Sequence, residues 1–228
     1  MKFGVVIFPG SNCDYDTYYV LKHMLKVETV FLFHKDTDLQ NCDVIILPGG
    51  FSFGDYLRTG AIAKFSPIMK EINEFAKNGG YVMGICNGFQ ILCESELLPG
   101  VLTMNTSLRF QCYDVYVKVI NNKSPFTSEY QFNEVLTMPI AHGEGNYFID
   151  DDGLKALYDN DQIILKYCDQ DGNITFDANP NGSVSNIAGI CNKSKNVFGL
   201  MPHPERCSEQ ILGNTDGIRI FQSLLNNL

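Results

Sequence analysis

Gly84-Ile85-Cys86-Asn87-Gly88 sets a thiol between an apolar run, Tyr81 to Ile85, and a helix-like segment, Asn87 to Leu97. A small residue two before and two after a nucleophile is the spacing of the strand-to-helix elbow of Gly-x-Ser-x-Gly hydrolases. The turn needs glycine because it is tight and the chain approaches its neighbours closely. Such an elbow lifts the sulfur to the edge of a sheet. It also sets it at a helix N-terminus, whose partial positive charge favours a thiolate. From the elbow alone, a nucleophile and a buried cysteine in an ordinary turn both remain open.

A second segment, Pro202-His203-Pro204-Glu205, follows the apolar run Val197 to Met201. The prolines hold the backbone near an extended shape. In an extended segment residues two apart point to the same side, so Glu205 can fix the tautomer and angle of His203. Cys86, His203 and Glu205 would then be nucleophile, base and orienter. His23 and His34 have no such neighbours and read as surface residues.

A third segment, Leu47-Pro48-Gly49-Gly50-Phe51, places a glycine pair after a strand. Backbone N–H groups near Gly50 and Phe51, with that of Asn87, could form an oxyanion hole, each donor contributing about 3 kcal/mol. A loop glycine pair with no ligand is the other reading. Gln90 lies one helical turn beyond Cys86, on the same face, where it could help hold a substrate. No Gly-x-x-x-x-Gly-Lys-Ser/Thr occurs, so no P-loop is expected. No metal or other cofactor is expected in this chain.

These segments need a scaffold that brings them to one edge. Phe3 to Phe8, Val30 to Phe33, Val44 to Leu47 and Tyr81 to Ile85 read as buried strands. Between them, Tyr18, Leu21 and Leu25 recur at helical spacing. So do Ile62, Phe65, Met69, Ile72 and Phe75, a helix closed by Asn78-Gly79-Gly80. Alternating strands and helices imply a parallel sheet whose working residues gather beyond the carboxyl ends of the strands. The turns after Phe8, Leu47, Ile85 and Met201 should share that edge. The second half reads as strands at Cys112 to Ile120, Val135 to Pro139, Gln162 to Tyr167 and Ile187 to Cys191, with a closing helix at Ile218 to Leu225.

The 228 residues are 45% hydrophobic and 19% charged, which fits one domain spanning 1–228. A net charge of -9 with no basic cluster argues against nucleic acid as a partner. The apolar start is too short for a signal-peptide core or a membrane span. The eight cysteines form no Cys-x-x-Cys pair and read as reduced thiols, which suits a cytoplasmic protein. Apart from Cys86 they read as small apolar residues.

Gly84 to Gln90 together with Met201 to Glu205 resembles the paired motifs of the class I (triad-type) glutamine amidotransferases. Phe8 to Asp14, Pro48 to Ile62, Asn105 to Cys112, Ile140 to Tyr147 and Asn179 to Ser183 are similar to the glutaminase subunits of phosphoribosylformylglycinamidine synthase. One departure is Thr59, where that group more often has alanine. Hydrolases and chaperone-like proteins with an elbow cysteine share the fold but would not carry Pro-His-Pro-Glu. A catalytically silent regulatory subunit would not need the intact trio.

The resemblance implies a flavodoxin-like, three-layer α/β/α domain with a mainly parallel central sheet. It implies a glutaminase that uses L-glutamine and passes ammonia to a separate synthetase subunit, where ATP and magnesium would bind, assisted by a small third subunit. It also brings in Arg109 and Phe110 as substrate-pocket residues. His142 and Glu144 come with it as a loop that lines the ammonia route or couples the two sites, or that is structural only.

Overall fold

The computed structural model describes residues 1–227. Its first half is β1 (Lys2–Ile7), α1 (Asp14–Tyr19), β2 (Glu28–Phe33), β3 (Val44–Leu47), α2 (Pro67–Lys77), β4 (Tyr81–Ile85) and α3 (Asn87–Glu94). There follow β5 (Val101–Thr103), β6 (Gln111–Val119), β7 (Val135–His142), β8 (Asn146–Phe148) and α4 (Asp151–Asp159). The chain ends in β9 (Ile163–Cys168), β10 (Ile187–Cys191), β11 (Val197–Leu200) and α5 (Ile218–Asn227).

One sheet runs β2-β1-β3-β4-β11-β10-β9-β6-β7, and β5 pairs with β8 apart from it. The strands from β2 to β11 are mutually parallel. Inside the edge strand β2, which is only partly buried, the residues of β1, β3, β4 and β11 are buried almost throughout, as a sheet covered on both faces requires. From β11 onward every pairing is antiparallel. There β9 and β10 are still buried throughout, while burial alternates along β7 and the inner half of β6, where Val115, Val117 and Val119 are buried.

The chain steps one way from β1 to β2 and the other way from β3 to β4. Right-handed crossovers then place α1 and α2 on opposite faces, giving the three-layer α/β arrangement. The reversal of strand order between β1 and β3 opens a crevice beyond their carboxyl ends, where such folds bind ligands. The loops after β1, β3, β4 and β11 meet there.

Three local readings change. The helix expected from Ile62 begins only at Pro67. Ser66, like most residues before proline, is extended (φ -63°, ψ 139°), which leaves Phe65 77% exposed outside the helix. His34 is buried, not a surface residue, with Nδ1 3.4 Å from Ser66 Oγ and its ring against Phe33 and Phe53. The helix α4 went unread because it buries little beyond Leu157, although Asp150 caps it by accepting from the Gly153 N–H at 2.8 Å.

Candidate active site

Cys86 stands between β4 and α3 with φ 50° and ψ -104°. A non-glycine residue there stores about 1–3 kcal/mol of strain, tolerated where the surroundings impose it. Those surroundings include Gly88, where an added Cβ would collide with the Leu47 carbonyl oxygen. The helix can start against β3 only because residue 88 lacks a side chain. The elbow read from the sequence is therefore the elbow observed. The Cys86 thiol is nearly buried and donates to the Ala141 carbonyl at 3.6 Å.

The second segment follows β11, which lies parallel beside β4. His203 and Glu205 are both buried, and their Nδ1 and Oε1 lie 2.6 Å apart. Burial opposes the imidazolium. The Glu205 carboxylate, with Cys86 and Cys13, outweighs it and holds His203 well above the usual histidine range. Nε2 of His203 and Oε2 of Glu205 have no hydrogen-bond partner among the described residues. One face of the pair is thus satisfied within the protein, and the outer ring nitrogen, with no protein partner, is free to hand its proton to a reacting group.

The expected oxyanion donors divide. The Asn87 N–H is the first of α3, an orphan with no carbonyl in the preceding turn. The Phe51 N–H is already donated to the Gly10 carbonyl at 2.9 Å, so in this conformation it is not available to an oxyanion. Gly50 adopts φ 143° and bridges Ser11, joining the loops after β1 and β3. The Asn87 side chain ties the same region together. Its Oδ1 accepts from Ser52 N at 3.1 Å, and its Nδ2 donates to Gln90 Oε1 at 2.9 Å.

Gln90 is buried, and its Nε2 donates to the Glu144 carbonyl at 2.6 Å. Its amide is engaged with protein, which makes it a strut between α3 and the loop after β7. The Glu144 carboxylate in turn accepts from the Thr59 hydroxyl at 2.7 Å. His142 is buried, with Nδ1 3.1 Å from Asn105 Oδ1. Burial first, then the positive charge on His203, push it down to about 4. Arg109 and Phe110 lie exposed on the neighbouring loop. Asn105 Nδ2 donates to the carbonyls of both Arg109 and His142, at 2.9 Å each, and the Phe110 ring lies 6.2 Å from that of Phe51.

Thr59 and Asp55 were not read as site residues. The stretch holding them turns through left-handed backbone at Phe53, Gly54, Asp55 and Leu57, and leaves Tyr56 and Leu57 on the surface. Asp55 Oδ1 is buried without a partner, and burial, then the Glu144 charge, raises its carboxyl to about 6. The resemblance over Pro48 to Ile62 and the departure at Thr59 marked this stretch in the sequence, but without a fold neither suggested a partner for Asp55 or Thr59.

Residues 1–223 match the family model of the CobB/CobQ-like glutamine amidotransferase domain. The chain is 59% identical over 225 residues to the phosphoribosylformylglycinamidine synthase subunit PurQ of Pseudothermotoga lettingae, covering 98% of this chain and 94% of that one. It is 52% identical over 227 residues to that of Aquifex aeolicus, covering 100% of each. Among solved structures, PurLQS from Thermotoga maritima superposes with a TM-score of 0.87 at 44% identity, covering 99% of this chain and 98% of that one. The glutaminase domain of Trypanosoma brucei CTPS shares the fold, with a TM-score of 0.61 at 14% identity, covering 99% and 94%. Two dissimilar stretches of sequence thus fold to one sheet edge in the manner of these relatives, and the chain belongs to the CobB/CobQ-like glutamine amidotransferases, in the group of the PurQ subunits.

Proposed function

We propose that this chain is the glutaminase subunit of phosphoribosylformylglycinamidine synthase, with Cys86, His203 and Glu205 as its catalytic residues. The observation that carries the reading is the 2.6 Å His203–Glu205 contact on the strand next to the strained Cys86 elbow. The Cys86 thiolate, its proton held on the imidazolium of His203, turns from Ala141 and attacks the side-chain amide carbon of L-glutamine. The carbonyl oxygen gathers charge against the Asn87 N–H and the N–H groups of the Gly50–Phe51 turn. His203 returns the proton to the departing nitrogen, the C–N bond breaks, and ammonia leaves a γ-glutamyl thioester. Water, deprotonated by His203, adds to the thioester, and the C–S bond breaks to give glutamate. Glu205 holds the ring throughout.

Ammonia released to neutral water becomes ammonium, which is not a nucleophile. The product must therefore pass to a docked partner. The reading assigns formylglycinamide ribonucleotide, ATP and magnesium to a separate synthetase subunit, with a small third subunit in the assembly. Glu144, held by Thr59 and Gln90, is the part of this chain that couples docking to the site. The Phe51 N–H on Gly10 is the donor such a change would release. Among the described residues no helix is long and apolar enough to cross a membrane. The reading places the chain in the cytoplasm, where its partners' substrates are.

The test is covalent labelling. A diazo-ketone analogue of glutamine should modify Cys86 alone among the eight cysteines, and glutamine should block it. Labelling elsewhere, or labelling that glutamine does not prevent, would refute the reading.

A further inference from the structure

Cys13 is a buried thiol beside the His203–Glu205 pair, and no step of glutamine hydrolysis uses it. It caps α1 in the loop after β1, at the crevice between β1 and β3. Its sulfur, a ring nitrogen of His203 and a carboxylate oxygen of Glu205 all lie within 4.8 Å of one another. The remaining side of this cluster is closed by Gly49. A Cβ there would lie 2.7 Å from His203 Cε1 and 3.1 Å from the Cys13 sulfur, so only glycine lets ring and sulfur sit together. The Cys13 N–H donates to the Gly49 carbonyl at 3.2 Å, and the Thr17 hydroxyl donates to the Cys13 carbonyl at 2.8 Å. Arg206 Nη2 donates to the Cys13 sulfur at 3.0 Å, while its Nε lies 3.5 Å from Asp16 Oδ2. The sulfur is thus fixed from the backbone on one side and by a guanidinium on the other.

We propose that Cys13 is a positioning residue for His203, its sulfur being the stop that keeps the imidazole set toward Cys86. This rests on the reading of His203 as the base. Burial, the largest influence on Cys13, holds its thiol above the usual range. A neutral, polarisable sulfur can rest against an imidazolium without competing with Glu205 for its proton. The ionisable groups around His203 are Glu205, Cys86, Cys13 and, from the end of β7, His142. Arg206 faces Cys13 from its own side, with Asp16 behind it. The assignment also gives the N-terminal turn, Phe8 to Asp14, a place in the chemistry.

The experiment uses the assembled complex with its synthetase and compares C13A and C13S with the parent. C13A is expected to lower kcat for glutamine hydrolysis about tenfold, since small displacements of a catalytic group are costly in rate. KM for glutamine should hold, and the acid limb of the kcat profile should move to lower pH. C13S should recover most of both changes. Ammonia-dependent synthesis, which bypasses the glutaminase, should be unchanged and shows that the complex has formed. An unaltered kcat and pH limb in C13A would overturn the proposal, as would a loss of kcat with an unmoved limb that C13S does not recover. Where C13A does not assemble, C13S decides: a small shift of the limb supports the proposal and none overturns it. Failure of the underlying reading is distinguishable, because His203→Ala would then keep its glutaminase activity.

Discussion

His203 Nδ1 and Glu205 Oε1 meet at 2.6 Å in a buried setting, while the far nitrogen of the ring has no partner among the described residues. That asymmetry makes the ring a base on one side and a fixed body on the other. Glu205→Gln keeps the shape and removes the charge that holds His203 high. Glutaminase kcat is expected to fall by roughly ten-thousandfold, as when the orienting carboxylate of a triad is neutralised. The pH at which His203 gains its proton should drop. Steady-state kinetics across pH checks both, and an unchanged kcat would contradict the role given to Glu205.

Gly88 lets α3 begin against the last carbonyl of β3. Gly88→Ala places a methyl group on the Leu47 oxygen, a backbone atom that cannot step aside cheaply. Overpacking of this kind costs about 3 kcal/mol. The melting temperature should fall clearly, and labelling of Cys86 by the diazo ketone should slow even in the folded fraction. A variant that melts and labels like the parent would show that the elbow does not depend on this contact.

Thr59→Val removes the donor to the Glu144 carboxylate and keeps the side-chain volume. The isolated chain should lose only about 1 kcal/mol, the net value of one hydrogen bond. In the complex the effect should be larger, because Glu144 also receives Gln90 from α3. Glutamine hydrolysed per product formed should rise, since a loosened strut uncouples the two sites. Measuring glutamate and the synthetase product together decides it, and an unchanged ratio would remove Thr59 from the coupling.

Asp55 gives a dependence of stability on pH. Its carboxyl is raised from 3.8 to about 6, so the folded chain binds this proton more tightly than the unfolded chain. Between these values stability contributed by Asp55 falls as pH rises, and above about 6 the buried charge is a standing cost. Asp55→Asn removes the titration. The variant should gain in melting temperature relative to the parent as pH goes from 5 to 7.5. A constant difference across that range would show that Asp55 is not held this way.

The parts of this site that can be read in the sequence are those encoded by contiguous segments. Gly84 to Gly88 and Pro202 to Glu205 each carry their geometry in local spacing, and the strand pattern set both at one edge. The pairings that complete the site join distant positions. Cys13 meets His203 only because β1 and β11 end on the same side of the sheet. Thr59 meets Glu144 only because the antiparallel strands bring the end of β7 back to the site, where Pro139 accepts from the His203 N–H at 2.8 Å. Neither contact follows from periodicity. The start of α2 differs for a local reason: the apolar spacing runs unbroken from Ile62 to Phe75, but Pro67 forces Ser66 to be extended, so the helix can begin only there.

The most direct measurement replaces Cys86 with alanine and assays the complex with two nitrogen donors. With glutamine, both glutamate release and synthesis should vanish. With ammonia, synthesis should proceed as in the parent, showing that the partner and the docked assembly are intact. Continued glutamate release from the Cys86→Ala complex would contradict the assignment of Cys86 as the nucleophile.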